Sequence, residues 1–378
     1  MFDFSFNFDS NDVHTIHPYP AKFPPSVPHQ LLQKLSKPGD VVLDPFCGSG
    51  TTLAEGLSFD CNVIGNDINF IALLISKVKT SNYSENDFMQ CELYIKQIQD
   101  NYKVKKNIIS KTEFKGIEHW FQDNVRYELD LIKEIIITIK DKKQKELLEL
   151  VFSTIILDVS NQESDTRYAS IDKNIQDDAT IELFIKKYYL VKGKVSKFNY
   201  NENLTTIILN EDARQLKSIK DNSVDIIITS PPYANTYDYY LYHKQRMNWL
   251  DFDFNTSKNM EIGSRNEYSS KKRPIETWVR DIKGFIVAMQ RVIRPNGYIC
   301  IVIGDSVVNK IFFDALDAIK QIASDLNLEF VFSTSAPLSK NSRKFNHKFR
   351  TEHDKKEHII ILRKKVVDIM VKKSCDSF

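Results

Sequence analysis

Net charge is nearly absent from this chain: 52 Lys and Arg stand against 50 Asp and Glu, leaving +2 over 378 residues. Such a balance carries no global nucleic-acid signature, so contact with nucleic acid has to come from where basic residues cluster. Cysteine is also scarce. Cys47, Cys61, Cys91, Cys300 and Cys375 are odd in number and nowhere spaced C-x-x-C, which argues against a disulfide framework or a structural zinc site and makes a reducing cytoplasm the expected setting. His14, His17, His119, His347, His353 and His358 show no mutual ligand spacing, so no metal is expected. No apolar run is long enough to span a bilayer. The start, Met1-Phe-Asp-Phe-Ser-Phe-Asn-Phe, carries an acid and lacks the basic flank and apolar stretch of a signal peptide.

What is present suits a large globular core: 42% of residues are hydrophobic and 27% charged. Short β-rich runs recur: Val41-Val-Leu-Asp, Asn62-Val-Ile-Gly, Thr205-Thr-Ile-Ile-Leu, Val224-Asp-Ile-Ile-Ile-Thr, Gly297-Tyr-Ile-Cys-Ile-Val-Ile-Gly, Glu329-Phe-Val-Phe and His358-Ile-Ile-Ile-Leu. Helical patterns such as 70–78 and 277–289 separate most of them. That alternation predicts an α/β fold, a doubly wound and mostly parallel seven-stranded sheet. No helix pattern separates the last two strands, so the final strand is expected to be antiparallel. From about Tyr83 to Tyr200 the apolar residues recur at helical spacing instead, which reads as a helical insertion. The chain accordingly divides into a cofactor-binding first half (1–80), the insertion as a recognition or interaction module (81–200), a catalytic second half (201–365) and a polar tail (366–378).

Asp44-Pro-Phe-Cys-Gly-Ser-Gly-Thr-Thr-Leu follows the first strand and opens a helix at Thr51. Gly48 and Gly50 lack side chains where a backbone must turn sharply and approach a ligand. Asp67, at the end of the second strand, stands where an acid takes ribose hydroxyls in such folds. A nucleoside-containing cofactor fits. A phosphate-binding loop does not, because Gly50 is followed by two threonines instead of lysine and a hydroxyl residue. A dinucleotide turn would want a third glycine and no acid, whereas Asp44 suits a cationic ligand. Alone, the turn reads equally well as a tight strand-to-helix connection.

The second motif, Asp225-Ile-Ile-Ile-Thr-Ser-Pro-Pro-Tyr, puts Ser230, Pro231, Pro232 and Tyr233 at the end of a buried strand, where parallel sheets bind substrates. Two consecutive prolines fix φ and donate nothing, so this tip is a rigid bracket with free carbonyls. An amino group on a base is a poor nucleophile, its lone pair being delocalised into the ring. Acceptors holding the amine hydrogens favour the pyramidal nitrogen of the transition state; Ser230 Oγ and the Pro231 carbonyl are the candidates. Tyr233 offers a stacking face for a base drawn out of a duplex.

Together these two motifs resemble the amino-group DNA methyltransferases, which make N4-methylcytosine or N6-methyladenine from S-adenosyl-L-methionine. The resemblance covers most of the chain outside the insertion. It implies cofactor-binding roles for Asp44, Phe46, Gly48, Gly50, Thr51 and Asp67. His17-Pro-Tyr-Pro-Ala-Lys-Phe resembles the family segment that closes over the methionine end, implicating Lys22 and Phe23. Glu211-Asp212-Ala-Arg resembles the turn whose acid takes the adenine amine, implicating Asp212. In that family serine at the first position of the catalytic motif is commoner in cytosine-N4 enzymes, so cytosine is favoured over adenine. RNA guanine-N2 methylation and a non-catalytic DNA-binding subunit are the more distant alternatives. A C5-cytosine enzyme needs a cysteine after proline, and none of the five stands there.

The resemblance implies double-stranded DNA as partner and a restriction-modification or phage-defence setting with a cognate restriction endonuclease as candidate companion. A monomer or dimer without membrane association is expected. Two basic loops fall on the expected active face: Gly263-Ser-Arg-Asn-Glu-Tyr-Ser-Ser-Lys-Lys-Arg, and Lys340 to Arg350, which interleaves Phe345 and Phe349 with Arg343, Lys344 and Lys348. The insertion leaves from the end of a helix that points to the opposite face. Within it, the polar run from Ser160 to Tyr168 reads as a functional loop or a helix stop.

Overall fold

A computed structural model describes residues 12–104, 110–164, 167–338 and 355–366. Seven strands form one sheet: β1 Val41–Asp44, β2 Asn62–Asn66, β3 Thr206–Leu209, β4 Val224–Thr229, β5 Ile293–Gly304, β6 Leu328–Pro337 and β7 Lys356–Lys364. Their spatial order is β3-β2-β1-β4-β5-β7-β6. The first five are parallel, while β7 runs antiparallel between β5 and β6. All seven coincide with the runs expected from the sequence, and the final strand is antiparallel as expected.

Helices cover both faces because each carries an apolar stripe matched to the sheet. On one side Val42, Val63, Ile226, Ile228, Cys300 and Ile359 pack with Leu31 and Leu32 of α1 (Ser26–Leu35) and Leu53 and Leu57 of α2 (Thr51–Ser58). On the other, Leu43, Ile227, Ile299, Ile301 and Ile360 meet Trp278, Phe285 and Met289 of the long helix Ile275–Val292 and Ile319 of the helix Ala315–Asp325. The chain leaves β1 to one side and β4 to the other. A crevice therefore opens beyond the carboxyl ends of these two neighbours, at the point where the strand order reverses.

After β2, α3 (Phe70–Lys79) leads into the insertion, built from α4 (Glu85–Val104), α5 (Asp123–Thr138), α6 (Lys142–Ile155) and α7 (Ala179–Val195). Its core is continuous with Ile71, Leu74 and Val78 of α3 and with Val13 and Ile16 of the N-terminal segment. The insertion leaves from the end of α3, and the structure shows which later residues meet it. Met247 and Trp249, which follow the Ser-Pro-Pro-Tyr motif, are buried in the same core, and Trp249 meets Phe121 and Phe114 edge-on at 5.4 and 5.9 Å. Long-range aromatic packing thus ties the insertion to the segment that follows the Ser-Pro-Pro-Tyr motif.

The polar run starting at Ser160 contributes two paired antiparallel strands, Gln162–Ser164 and Arg167–Ser170, and Ser160 and Gln162 are buried. Among the described residues no helix is long and apolar enough to cross a membrane.

Candidate active site

The crevice is a cavity of about 870 Å³. Its two ends are built differently.

At one end the chain turns tightly between β1 and α2. Gly48 and Gly50 adopt φ of +48° and +72°, a region that side-chain-bearing residues avoid. Gly48 is on the cavity wall with Ser49 and Thr51. Gly50 is not: a Cβ there would lie 2.8 Å from Ser76 Oγ and 3.1 Å from its Cα, so this glycine lets α2 pack on α3. Asp67 ties the turn down, its Oδ2 accepting from Gly48 N and its Oδ1 from Asn69 N, both at 2.9 Å. Asp44 accepts from Thr229 Oγ1 at 2.7 Å and from Phe46 N at 3.1 Å. Burial raises the pKa of both acids to about 6, because charge is costly away from water. Phe46 lines the cavity and packs edge-on to Phe285 at 5.1 Å.

The segment around His17 forms a strap over this end. Lys22 and Phe23 both line the cavity. Lys22 Nζ donates to the carbonyls of His14 and His17 at 3.1 and 2.7 Å, drawing the strap into a closed loop. Asp212 is also on the wall. Its carboxylate is gripped by Arg214, with Nη2 at 2.7 Å, and Arg214 Nη1 reaches Asp281 at the same distance. Burial raises Asp212, and bonding to Arg214 more than reverses this, leaving its pKa below the ordinary value.

At the other end Ser230, Pro231, Pro232 and Tyr233 lie side by side on the wall. The expectation of two free proline carbonyls needs correction, since the indole Nε1 of Trp278 donates to the Pro232 carbonyl at 3.3 Å. The Pro231 carbonyl accepts no hydrogen bond among the described residues. The Tyr233 ring lies against Gly304, where a Cβ would come within 2.7 Å of its Cε2. Its hydroxyl donates to Glu357 Oε1 at 2.6 Å. From outside, Gly263 (φ +77°) lets the following loop approach the bracket, a Cβ there being 3.1 Å from the Tyr233 carbonyl.

Several wall residues were not singled out from the sequence. Tyr19 stacks on Tyr239 and His243 at centroid distances of 6.1 and 5.1 Å; its signal was its place inside His17-Pro-Tyr-Pro. Glu261 accepts from the backbone of Tyr239 and Tyr240 at 3.0 and 2.8 Å, and burial lifts its pKa to about 8. Nothing in the sequence marks Glu261, and Glu357 is marked only as an acid at the start of an apolar strand. Behind the wall, Ser153 of α6 joins the insertion to both sides of the site. Its Oγ is 2.9 Å from His17 Nε2, and its carbonyl accepts from Arg246 Nε at 3.1 Å.

The first basic loop contains a short helix, Arg265–Ser269, whose Glu267 pairs with Lys271 and Arg273, both at 2.5 Å. Arg265 and Lys272 are exposed. The second basic loop, with Lys348 and Arg350, lies outside the described residues.

Residues 2–78 and 224–374 match a family model for DNA methylases of the N6/N4 type; the matched segments carry the glycine turn and the Ser-Pro-Pro-Tyr bracket. The chain is 26% identical to the type II methyltransferase M.MvaI of Kocuria varians, covering 85% of this chain and 83% of that protein. It is 24% identical to the type II methyltransferase M.MjaII of Methanocaldococcus jannaschii, covering 78% and 72% respectively. With M.BsoBI of Geobacillus stearothermophilus it shares 25% identity over 65% of this chain and 55% of that protein.

Proposed function

The chain belongs to the N6/N4 DNA methylase family, and from that premise we propose that it methylates N4 of cytosine at a specific double-stranded DNA sequence. Membership makes it an amino-group DNA methyltransferase whose cofactor is S-adenosyl-L-methionine. The observation that carries the choice of base is Ser230, a neutral hydroxyl at the first position of the catalytic bracket, where adenine enzymes more often have an acid or amide. Similarity to type II methyltransferases over most of their length supports a restriction-modification setting with a cognate endonuclease.

The residues fit this cofactor. When bound it supplies an electrophilic methyl group on a sulfonium. Asp67 accepts the ribose hydroxyls and Asp44 offers negative charge toward the cationic centre. Gly48 lets the backbone come close, and the strap held by Lys22, with Phe23, covers the methionine end. Asp212 sits where the adenine amine is taken, its carboxylate held in place by Arg214.

Across the cavity, Ser230 Oγ and the Pro231 carbonyl accept the two hydrogens of the target amine. Holding them out of the ring plane localises the nitrogen lone pair and stabilises the geometry of the transition state more than that of the ground state. Trp278 takes the neighbouring carbonyl, so the amine is offered one backbone acceptor. Tyr233 presents one ring face to the extruded base while Gly304 supports the other. Arg265 and Lys272 are placed to meet phosphates.

The test is to incubate genomic DNA with the purified protein and methyl-labelled S-adenosylmethionine, then digest to nucleosides. Label is expected in N4-methylcytosine. Label in N6-methyladenine would overturn the choice of base, and label in no nucleoside would overturn the reaction.

A further inference from the structure

Methyl transfer leaves an unassigned proton. Forming the new N–C bond uses the nitrogen lone pair and breaks the donor's C–S bond, so the amine, still holding both hydrogens, becomes cationic. One proton must leave to give the neutral methylamine. The acceptors around the amine are a hydroxyl and a carbonyl, and neither can keep it.

The bracket leads onward to a group that can. Tyr233 Oη donates to Glu357 Oε1 at 2.6 Å, and Ser230 lies on the same cavity wall, where its hydroxyl opposes the burial that raises the phenol's pKa. Glu357 stands at the start of β7, on the cavity wall beside the bracket. From this one contact and the place of Ser230 beside it on the wall we infer that Ser230, Tyr233 and Glu357 form a proton relay that ends on the Glu357 carboxylate. Ser230 Oγ takes the proton from the methylated nitrogen and passes its own to Tyr233 Oη, which passes its own to Glu357. Each hydroxyl gains one proton and loses one, and the carboxylate becomes a carboxylic acid. Glu357 then loses its proton to water when the cavity empties.

Glu357 acts through Tyr233 and Ser230 without touching the reacting nitrogen. Burial raises its pKa, and bonding from Tyr233 and the proximity of His358 only partly oppose that, which makes it a stronger base than a surface carboxylate. The groups near it are Tyr233 from the bracket, Asp305 just past the end of β5, Lys355 just before its strand and His358 next to it in the strand. Asp305 is engaged elsewhere, accepting from Lys356 N at 2.8 Å and lying 3.0 Å from His358 Nε2, so it does not compete for the Tyr233 hydroxyl.

The inference rests on amino-group methylation but not on the identity of the base. Its test is the single-turnover rate of the full chain on methylatable DNA at saturating S-adenosylmethionine, read from about pH 5 to about pH 9. For the parent the rate should rise with pH as Glu357 ionises. Glu357→Gln still accepts from Tyr233 but cannot take a proton. It should be slower by about a hundredfold, the lower end of acid–base contributions, and should lose that rising limb while binding cofactor and DNA normally. Tyr233→Phe keeps the ring and cuts the relay, so it should reproduce the flat profile, and the double variant should be no slower than either single one. Parental rate and pH limb in both single variants would overturn the relay while leaving amino-group methylation standing. A parent that labels no DNA amine would overturn the reading on which it rests. If Glu357→Gln fails to fold, the Tyr233→Phe profile alone decides, a retained limb overturning the relay.

Discussion

The two ends of the cavity are made from the chain in opposite ways. The end proposed to hold the cofactor is mostly local: Asp44, Gly48, Thr51 and Asp67 come from one strand-turn-helix-strand unit, with the carboxylate of Asp67 bonded back to Gly48. The end proposed to hold the base is assembled from a distance. Ser230 to Tyr233 are contiguous, but Gly304 supports them from β5, Trp278 from the helix before it and Glu357 from β7. A local turn needs only backbone geometry to keep its shape. A bracket proposed to hold an amine out of its ring plane needs rigid support on every side, and only separate elements can supply that.

The largest expected effect breaks the base end. Ser230→Ala removes an acceptor for the amine hydrogens but leaves the glycine turn untouched. Its single-turnover rate should fall about a hundredfold, as for deletion of one transition-state hydrogen bond, with cofactor affinity unchanged by calorimetry. Weakened cofactor binding in that variant would show that the two ends are not independent.

The converse change is Asp67→Ala. It should weaken S-adenosylmethionine binding by about 1 to 3 kcal/mol, the scale of a lost hydrogen bond to a charged group, with little change in rate once the site is saturated. The same comparison has a pH form. The carboxyl of Asp67 has a pKa raised by burial to about 6. Ribose hydroxyls donate best to the ionised form, so affinity should be full above that value and decline as pH falls through it. Titration calorimetry across this range checks the sign, and Asp67→Asn should flatten the part due to this residue.

The smallest effect sharpens the comparison. Trp278→Phe keeps an aromatic ring in the core but frees the Pro232 carbonyl. Loss of one neutral hydrogen bond should lower stability by about 1 kcal/mol and slow turnover a few-fold, without altering cofactor affinity. A denaturation curve and a single-turnover assay on one preparation separate the two readouts.

The sheet was legible because each strand is a short apolar run bounded by turn residues, and because helical spacing fills most of the gaps between them. The helical character of the insertion was legible from the same periodicity. Its placement was not, since Trp249 and Ser153 lie far apart in the chain and carry no mark of the contacts they make around the insertion core. The small strand pair Gln162–Ser164 and Arg167–Ser170 was missed because a polar run with two buried members gives no alternating pattern.

At the site, the glycine turn and the bracket were readable as backbone chemistry: left-handed glycines in one, paired prolines in the other. The cavity wall nevertheless differs from what those motifs suggested. Gly50 is turned toward Ser76, the Pro232 carbonyl is taken, and the carboxylate of Asp212 is held by Arg214.

The sequence by itself determined the seven strands, the family resemblance, and which residues flank a strand-end crevice, because those depend on local periodicity and on residues with special backbone geometry. The tertiary structure decided which of them face the cavity and which polar atoms remain free. It also decided that Glu357 meets Tyr233 across a gap of 124 residues. Hydrogen-bond partners are set by the register of the antiparallel last strand against β5 and β6, and a shift of one residue would turn Glu357 to the other face of the sheet.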